Sequence, residues 1–104
     1  MRCRRCDEMP EEVRRVADLL ERRWLLSILW ASAEAGAVRF NEFRQVLGPV
    51  PPRTLAQRLV ELEEAGMLAR VVVDARPPRV EYRLTEAGRR LTAVVEALRS
   101  VANA

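Results

Sequence analysis

Residues 52–84 read PRTLAQRLVELEEAGMLARVVVDARPPRVEYRL, and the order of signals within them decides the fold. Leu55, Leu59, Leu62 and Ala65 recur at helical spacing from Pro52 to Ala65. Pro49, Pro51 and Pro52 make a stiff turn ahead of that helix, and Gly66 ends it. Leu68 to Val73 and Val80 to Leu84 are strand-like, with Val80, Tyr82 and Leu84 alternating with Glu81 and Arg83. Ala75-Arg76-Pro77-Pro78 lies between them as a hairpin tip.

Upstream, Asn41 is a good N-cap for a short helix with Phe43, Val46 and Leu47 inward, ended by Gly48. Ala37 to Phe40 reads as one short edge strand. Pro10, Glu11 and Glu12 suit the first turn of an N-terminal helix carrying Val13, Val16, Ala17 and Leu20. A second helix is expected from about Arg22 to Ala35, with Trp24, Leu25, Ile28, Leu29 and Ser32 on one side and Gly36 as its cap. Glu21-Arg22-Arg23 contains no helix breaker, so two helices and one bent helix both fit. Downstream, Thr85 caps a last helix with an apolar stripe from Leu91 through Val94, Val95, Leu98 and Val101 to Ala102.

This order gives a mainly α chain with a small antiparallel β-hairpin, of α+β class: a winged helix-turn-helix. Residues 1–9 read as a polar tail, and residues 10–104 as one domain. In that domain the recognition helix covers about 52–65, the wing about 68–84 and a dimerisation helix about 85–102. The stripe Leu91, Val94, Val95, Leu98 and Val101 is more than a small domain is expected to bury alone. It is therefore expected to form a homodimer interface, with the N-terminal helix contributing.

Composition narrows the chemistry. All 18 basic residues of the 104 are arginine, against 15 acids and no histidine, for a net charge of +3. Without histidine there is no His-based triad, proton shuttle or His-containing zinc site. No nucleophile–base pair or phosphate-cradling glycine loop is present, so an enzyme is not expected. No cofactor or metal is expected either. The most apolar run, Trp24 to Ala33, is far short of the roughly 20 residues of a membrane span. The basic N-terminus has no apolar core after it, which argues against a signal peptide. A cytoplasmic protein is expected.

The positions of the arginines say more than their number. The polar face of the 52–65 helix presents Arg53, Thr54, Gln57, Arg58 and Glu61. Arginine and glutamine can grip guanine and adenine edges, and threonine can meet a phosphate or a thymine methyl. Its arginines lie toward the positive end of the helix dipole and its glutamates toward the negative end, against the usual preference. Residues 1–36 and 37–69 are each neutral overall, whereas residues 70–83 carry +2. A basic wing beside a helix-turn-helix suits double-stranded DNA, with Arg76 and Arg79 as backbone or minor-groove contacts. Arg83 alternates as ordinary sheet patterning and is discounted.

The segments Phe40-Asn41-Glu42-Phe43, Thr54-Leu55-Ala56-Gln57-Arg58-Leu59, Leu62-Glu63-Glu64-Ala65-Gly66-Met67 and Pro77 through Gly88 (PPRVEYRLTEAG) carry a resemblance. The chain resembles the HxlR-type branch of the MarR-like winged-helix transcriptional regulators over about residues 6–100. The resemblance implies a homodimeric, cytoplasmic, sequence-specific DNA-binding regulator without catalytic activity, reading a palindromic operator. Two departures stand out. Members often have a glycine-containing break where this chain has Glu21-Arg22-Arg23, and a serine or threonine where it has Pro51.

Cys3 and Cys6 form a C-x-x-C in the tail, where Arg2, Arg4 and Arg5 favour the thiolate and Asp7 and Glu8 oppose it. Cys6 matches the N-terminal cysteine with which some members of the family sense electrophiles or oxidants, which makes Cys6 and Cys3 redox-sensing candidates. No cysteine follows Cys6, so a disulfide would join Cys3 to Cys6, two tails, or a tail to a small thiol. The competing class is a winged helix used as a protein–protein interaction module without DNA binding. The operator, the direction of regulation and any small-molecule effector lie beyond the sequence.

Overall fold

A computed structural model of the chain describes residues 8–104. Its elements are α1 (Glu11–Leu20), α2 (Leu25–Ala35), β1 (Ala37–Val38), α3 (Phe40–Leu47), α4 (Pro52–Glu64), β2 (Leu68–Val73), β3 (Arg79–Leu84), α5 (Glu86–Arg89) and α6 (Thr92–Ala102). The expected winged helix-turn-helix is present, with α3 and α4 as its two helices and β2–β3 as its wing. The cysteine tail expectations fall on residues that lie outside the described ones.

The sheet order is β1-β3-β2, antiparallel throughout. Val38 pairs with Tyr82 on one side of β3, and Leu68 pairs with Leu84 on the other. One face of the sheet therefore turns Val38, Leu68, Tyr82 and Leu84 to the helices. The core is built from Leu25, Ile28 and Leu29 of α2, Phe43 of α3, Leu55, Leu59 and Leu62 of α4, and Leu68 of β2. Each fully buried aliphatic side chain of this kind contributes roughly 1.5–3 kcal/mol. The Phe43 and Tyr82 rings meet at 6.2 Å with their planes tilted, joining the helix-turn-helix to the wing. Val50 is buried beneath the α3–α4 turn, and its N–H donates to the Gly48 carbonyl at 2.8 Å.

Two local expectations are corrected, for α3 and for the last helix, and the open alternative at the α1–α2 junction is resolved. Asn41 is not the N-cap of α3; the cap lies two residues earlier, at Arg39, and the helix begins at Phe40. The Glu42 carboxylate accepts the Arg39 N–H at 2.8 Å, so the glutamate in the first turn satisfies the donor. α1 and α2 are separate helices, and the chain turns between them with Trp24 in the left-handed region at φ 75°. The last helix is two helices, because the single turn of α5 ends at Arg90 before α6 starts.

The joint that holds α5 explains why two of its residues cannot be large or apolar. Thr85 Oγ1 accepts the Gly88 N–H at 3.0 Å and donates to the Gly66 carbonyl at 2.5 Å. The Thr85 N–H donates to the Met67 carbonyl at 3.1 Å. This brings Gly88 so close to the main chain after α4 that an added Cβ would run into the Met67 carbonyl oxygen. Backbone cannot swing aside as a side chain can. Gly88→Ala is therefore expected to cost about 2 kcal/mol or more. Chemical denaturation of the two proteins checks this, and a loss within about 0.5 kcal/mol would mean that the joint yields.

Candidate nucleic-acid interface

Pro51 and Pro52 start α4. Pro51 offers no side-chain cap, but proline at the first helical position removes one N–H that would otherwise lack a partner. Below that start the helix has three sides. Leu55, Leu59 and Leu62 face the core. Arg53, Ala56, Gln57 and Val60 are all exposed and form the side farthest from it. Thr54, Arg58 and Glu61 lie half-buried along one flank.

The fold thus divides residues that share one polar face in the helical pattern. Arg53 and Gln57 make no side-chain hydrogen bond or ion pair among the described residues, and their polar ends are available to a ligand. Arg58 is engaged. Its Nε donates to the Arg23 carbonyl at 3.0 Å, and a terminal nitrogen donates to Glu61 at 2.9 Å. Glu61 also receives Arg22 at 2.6 Å. Val60 is half-exposed on the open side, where its methyls, like that of Ala56, suit a thymine methyl. Nothing in the sequence distinguishes the apolar Val60 from a core position without knowing the helix's exact phase.

The wing shows a similar division. Glu81 is buried and accepts Arg79 at 3.2 Å and Arg83 at 2.9 Å. The hydrogen bond from Arg83, then that from Arg79, hold the Glu81 carboxyl below its ordinary pKa, against the burial that pushes it up. Arg79, expected as a DNA contact, is therefore partly neutralised. Arg70 and Arg76 make no ion pair among the described residues. Arg76 sits at the exposed tip, beside a cis peptide bond to Pro77. Arg70 pairs across the sheet with Tyr82, which places it on the helix-facing side of the wing. The sequence reading counted Arg70 in the wing's charge but did not single it out; the strand register is what brings it to that side.

A third feature adjoins the N-terminus of α4. Asn41, Arg44 and Gln45 of α3 and the Gly48–Pro52 turn line an open recess of about 700 Å³. Arg44 is exposed and has no acidic partner among the described residues. Elsewhere α6 packs on α2, its Val95 only 2% exposed, and Leu91 packs against the core. Of the stripe expected at a dimer interface, these two are occupied within the chain. Leu98 at 44% and Val101 at 76% exposure remain open, with Trp30 of α2 beside Leu98 at 41%.

A family model described as HxlR-like helix-turn-helix matches residues 19–104. The chain belongs to that family. An uncharacterized HTH-type transcriptional regulator of Mycobacterium tuberculosis is 44% identical over 88 residues, 85% of this chain and 54% of its own length. Bacillus subtilis YvaP, another uncharacterized HTH-type transcriptional regulator, is 34% identical over 88 residues, 85% of this chain and 81% of its own. The chain thus spans about half the length of the mycobacterial relatives it matches. Among solved structures, the reduced form of the transcriptional regulator YodB from B. subtilis superposes with a TM-score of 0.78 at 30% identity, over 91% of this chain and 92% of that one. The redox regulator HypR in its reduced form gives 0.73 at 37% identity, over 86% and 88%.

The turn before Trp24 contains no glycine and is held by tertiary contacts. A bulky residue at positive φ costs on the order of 1–2 kcal/mol. Against this, the Trp24 ring packs on the core and the Arg23 guanidinium lies 5.1 Å from its centroid. The Arg23 carbonyl is the one gripped by Arg58.

Glu81 gives a pH signature. Its folded-state pKa is lowered, so its contribution to stability is full above the ordinary carboxylate pKa and is lost as pH falls through the lower folded value. Glu81→Gln should be less stable than the parent at neutral pH, and the gap should close as the medium is acidified below pH ~4. Urea denaturation across pH measures both. A gap that stays constant down to low pH would show that the two arginines do not depend on the charge.

Proposed function

We propose that this chain is a sequence-specific DNA-binding transcriptional regulator that acts as a homodimer in the cytoplasm and carries no catalytic activity. The observation that carries the reading is the open side of α4. In a member of the HxlR-like family, the helix that follows the turn keeps Arg53 and Gln57 exposed and unpaired while its opposite side is locked in the core. On this reading Arg53 and Gln57 contact base edges in the major groove, with Ala56 and Val60 beside them. Thr54 and Arg44 serve nearby phosphates. Arg70 and Arg76 meet the backbone or minor groove of flanking DNA, and Arg79 contributes less because it shares Glu81.

The dimer is supported by what the monomer leaves uncovered. Leu98, Val101 and Trp30 are open on one side. α1 buries only Leu19 and exposes Val13. A twofold dimer sets two recognition helices roughly 34 Å apart and calls for a palindromic operator. Thiol-based sensing through Cys6, with Cys3 beside it, is part of the proposal. It rests on the redox regulator HypR and on YodB, whose solved forms include reduced, diamide-treated and quinone-bound states.

Selection of duplexes from a random pool, with reduced and with oxidised protein, tests the function, operator symmetry and sensing together. On the selected duplex, Arg53→Ala and Gln57→Ala should each lose roughly 1–3 kcal/mol of discrimination at particular base pairs. Arg70→Ala and Arg76→Ala should weaken all sequences alike, each lowering the salt slope by about 1 for each DNA contact removed. If each subunit neutralises about three to five phosphates, log affinity should fall against log salt with a slope of roughly −5 to −9. A pool that yields no bound duplex in either redox state would favour the protein–protein interaction module instead. Leu98→Glu combined with Val101→Glu should give monomers by analytical ultracentrifugation. A dimer that survives both would move the interface elsewhere.

A further inference from the structure

The flank of α4 that carries Arg58 and Glu61 is tied to the turn between α1 and α2. Glu61 uses one oxygen for Arg58 at 2.9 Å and the other for Arg22 at 2.6 Å. Arg58 uses its Nε for the Arg23 carbonyl at 3.0 Å. Exposed ion pairs of this kind are worth little. These groups are different in two respects. The Arg58 and Glu61 side chains are only 18% and 17% exposed, and a rigid guanidinium spends two separate donors on two separate acceptors. The carbonyl it grips precedes Trp24, the residue held at φ 75°.

We infer that Arg22, Arg58 and Glu61 form a latch that sets the pitch of α4 from the α1–α2 turn, which makes Arg58 a positioning residue and not a base reader. A helix packed along one apolar face can still roll on that face, and rolling α4 would move Arg53 and Gln57 around the groove. The latch stops the roll from the flank. It also ties the end of α1 to the recognition helix, so a change in the tilt of α1 is transmitted to Arg53 and Gln57. The inference rests on the DNA-binding reading above.

The test compares Arg22→Ala, Glu61→Gln, their combination, Arg58→Ala and Arg58→Lys on the duplex selected by the parent protein. Each single change that opens the latch should weaken binding by about tenfold, the factor lost with one charge-assisted hydrogen bond. The double variant should bind no more weakly than Glu61→Gln alone, because both changes remove the same link. Arg58→Lys keeps the charge but not the two-pronged geometry, and should behave like Arg58→Ala. The salt slope and the preferred sequence should stay as in the parent. The inference is overturned if Arg22→Ala and Glu61→Gln add while Arg22→Ala lowers the salt slope by about 1, which marks a direct phosphate contact. It is equally overturned if Arg58→Ala relaxes the preference at one base pair alone. Amide hydrogen exchange without DNA separates this from failure of the functional reading. Arg22→Ala and Glu61→Gln should speed exchange in α4 by similar factors, and unchanged α4 exchange would sink the latch even if the parent binds no DNA.

Discussion

Glu61 holds α4 at its flank in a way that the apolar core alone does not. Leu55, Leu59 and Leu62 fix how deeply the helix sits, but apolar contact has no direction of its own. A carboxylate shared between Arg22 and Arg58, with Arg58 reaching on to a main-chain carbonyl, supplies that direction. The open side of the helix, with Arg53 and Gln57, is then what remains when one side is buried and a second is bonded. The proposed recognition surface depends on this division of the helix into three.

The same sharing of a carboxylate recurs on the wing. Glu81 occupies Arg79 and Arg83 on one face of β3, while Arg70 and Arg76 stay unpaired on the other face and at the tip. The wing's net positive charge is thus real, yet of the two arginines that flank the turn's prolines Arg76 is free and Arg79 is held by Glu81. Charge totals locate a basic element. Pairing decides which of its side chains can meet a phosphate.

Much of the fold was legible because it rests on period and punctuation. The spacing of Leu55, Leu59 and Leu62 marks α4, and the alternation of Val80, Tyr82 and Leu84 marks the inner face of the wing. The features that were not legible depend on residues far apart in the chain or on the exact start of a helix. Arg58 shares a polar face with Arg53 and Gln57, but its acceptor belongs to Arg23, on a different helix joint that no sequence period marks. The break before Trp24 carries no glycine, since the packing of the indole and the grip on Arg23 hold the turn. Asn41 has the residue type of a cap, but Glu42 accepts the N–H of Arg39 and the cap falls two residues earlier. Val95 was grouped with Leu98 and Val101 by helical spacing, although α2 already covers it.

On the proposed reading, α4 presents position 57 to the bases while its flank is held away. Site-specific photo-cross-linking to a bound duplex tests this most directly. A cross-linking side chain in place of Gln57 should form adducts with bases inside the bound site. One in place of Val95, buried against α2, should form none. Protein that binds the duplex but shows no base adduct from position 57 would contradict the account.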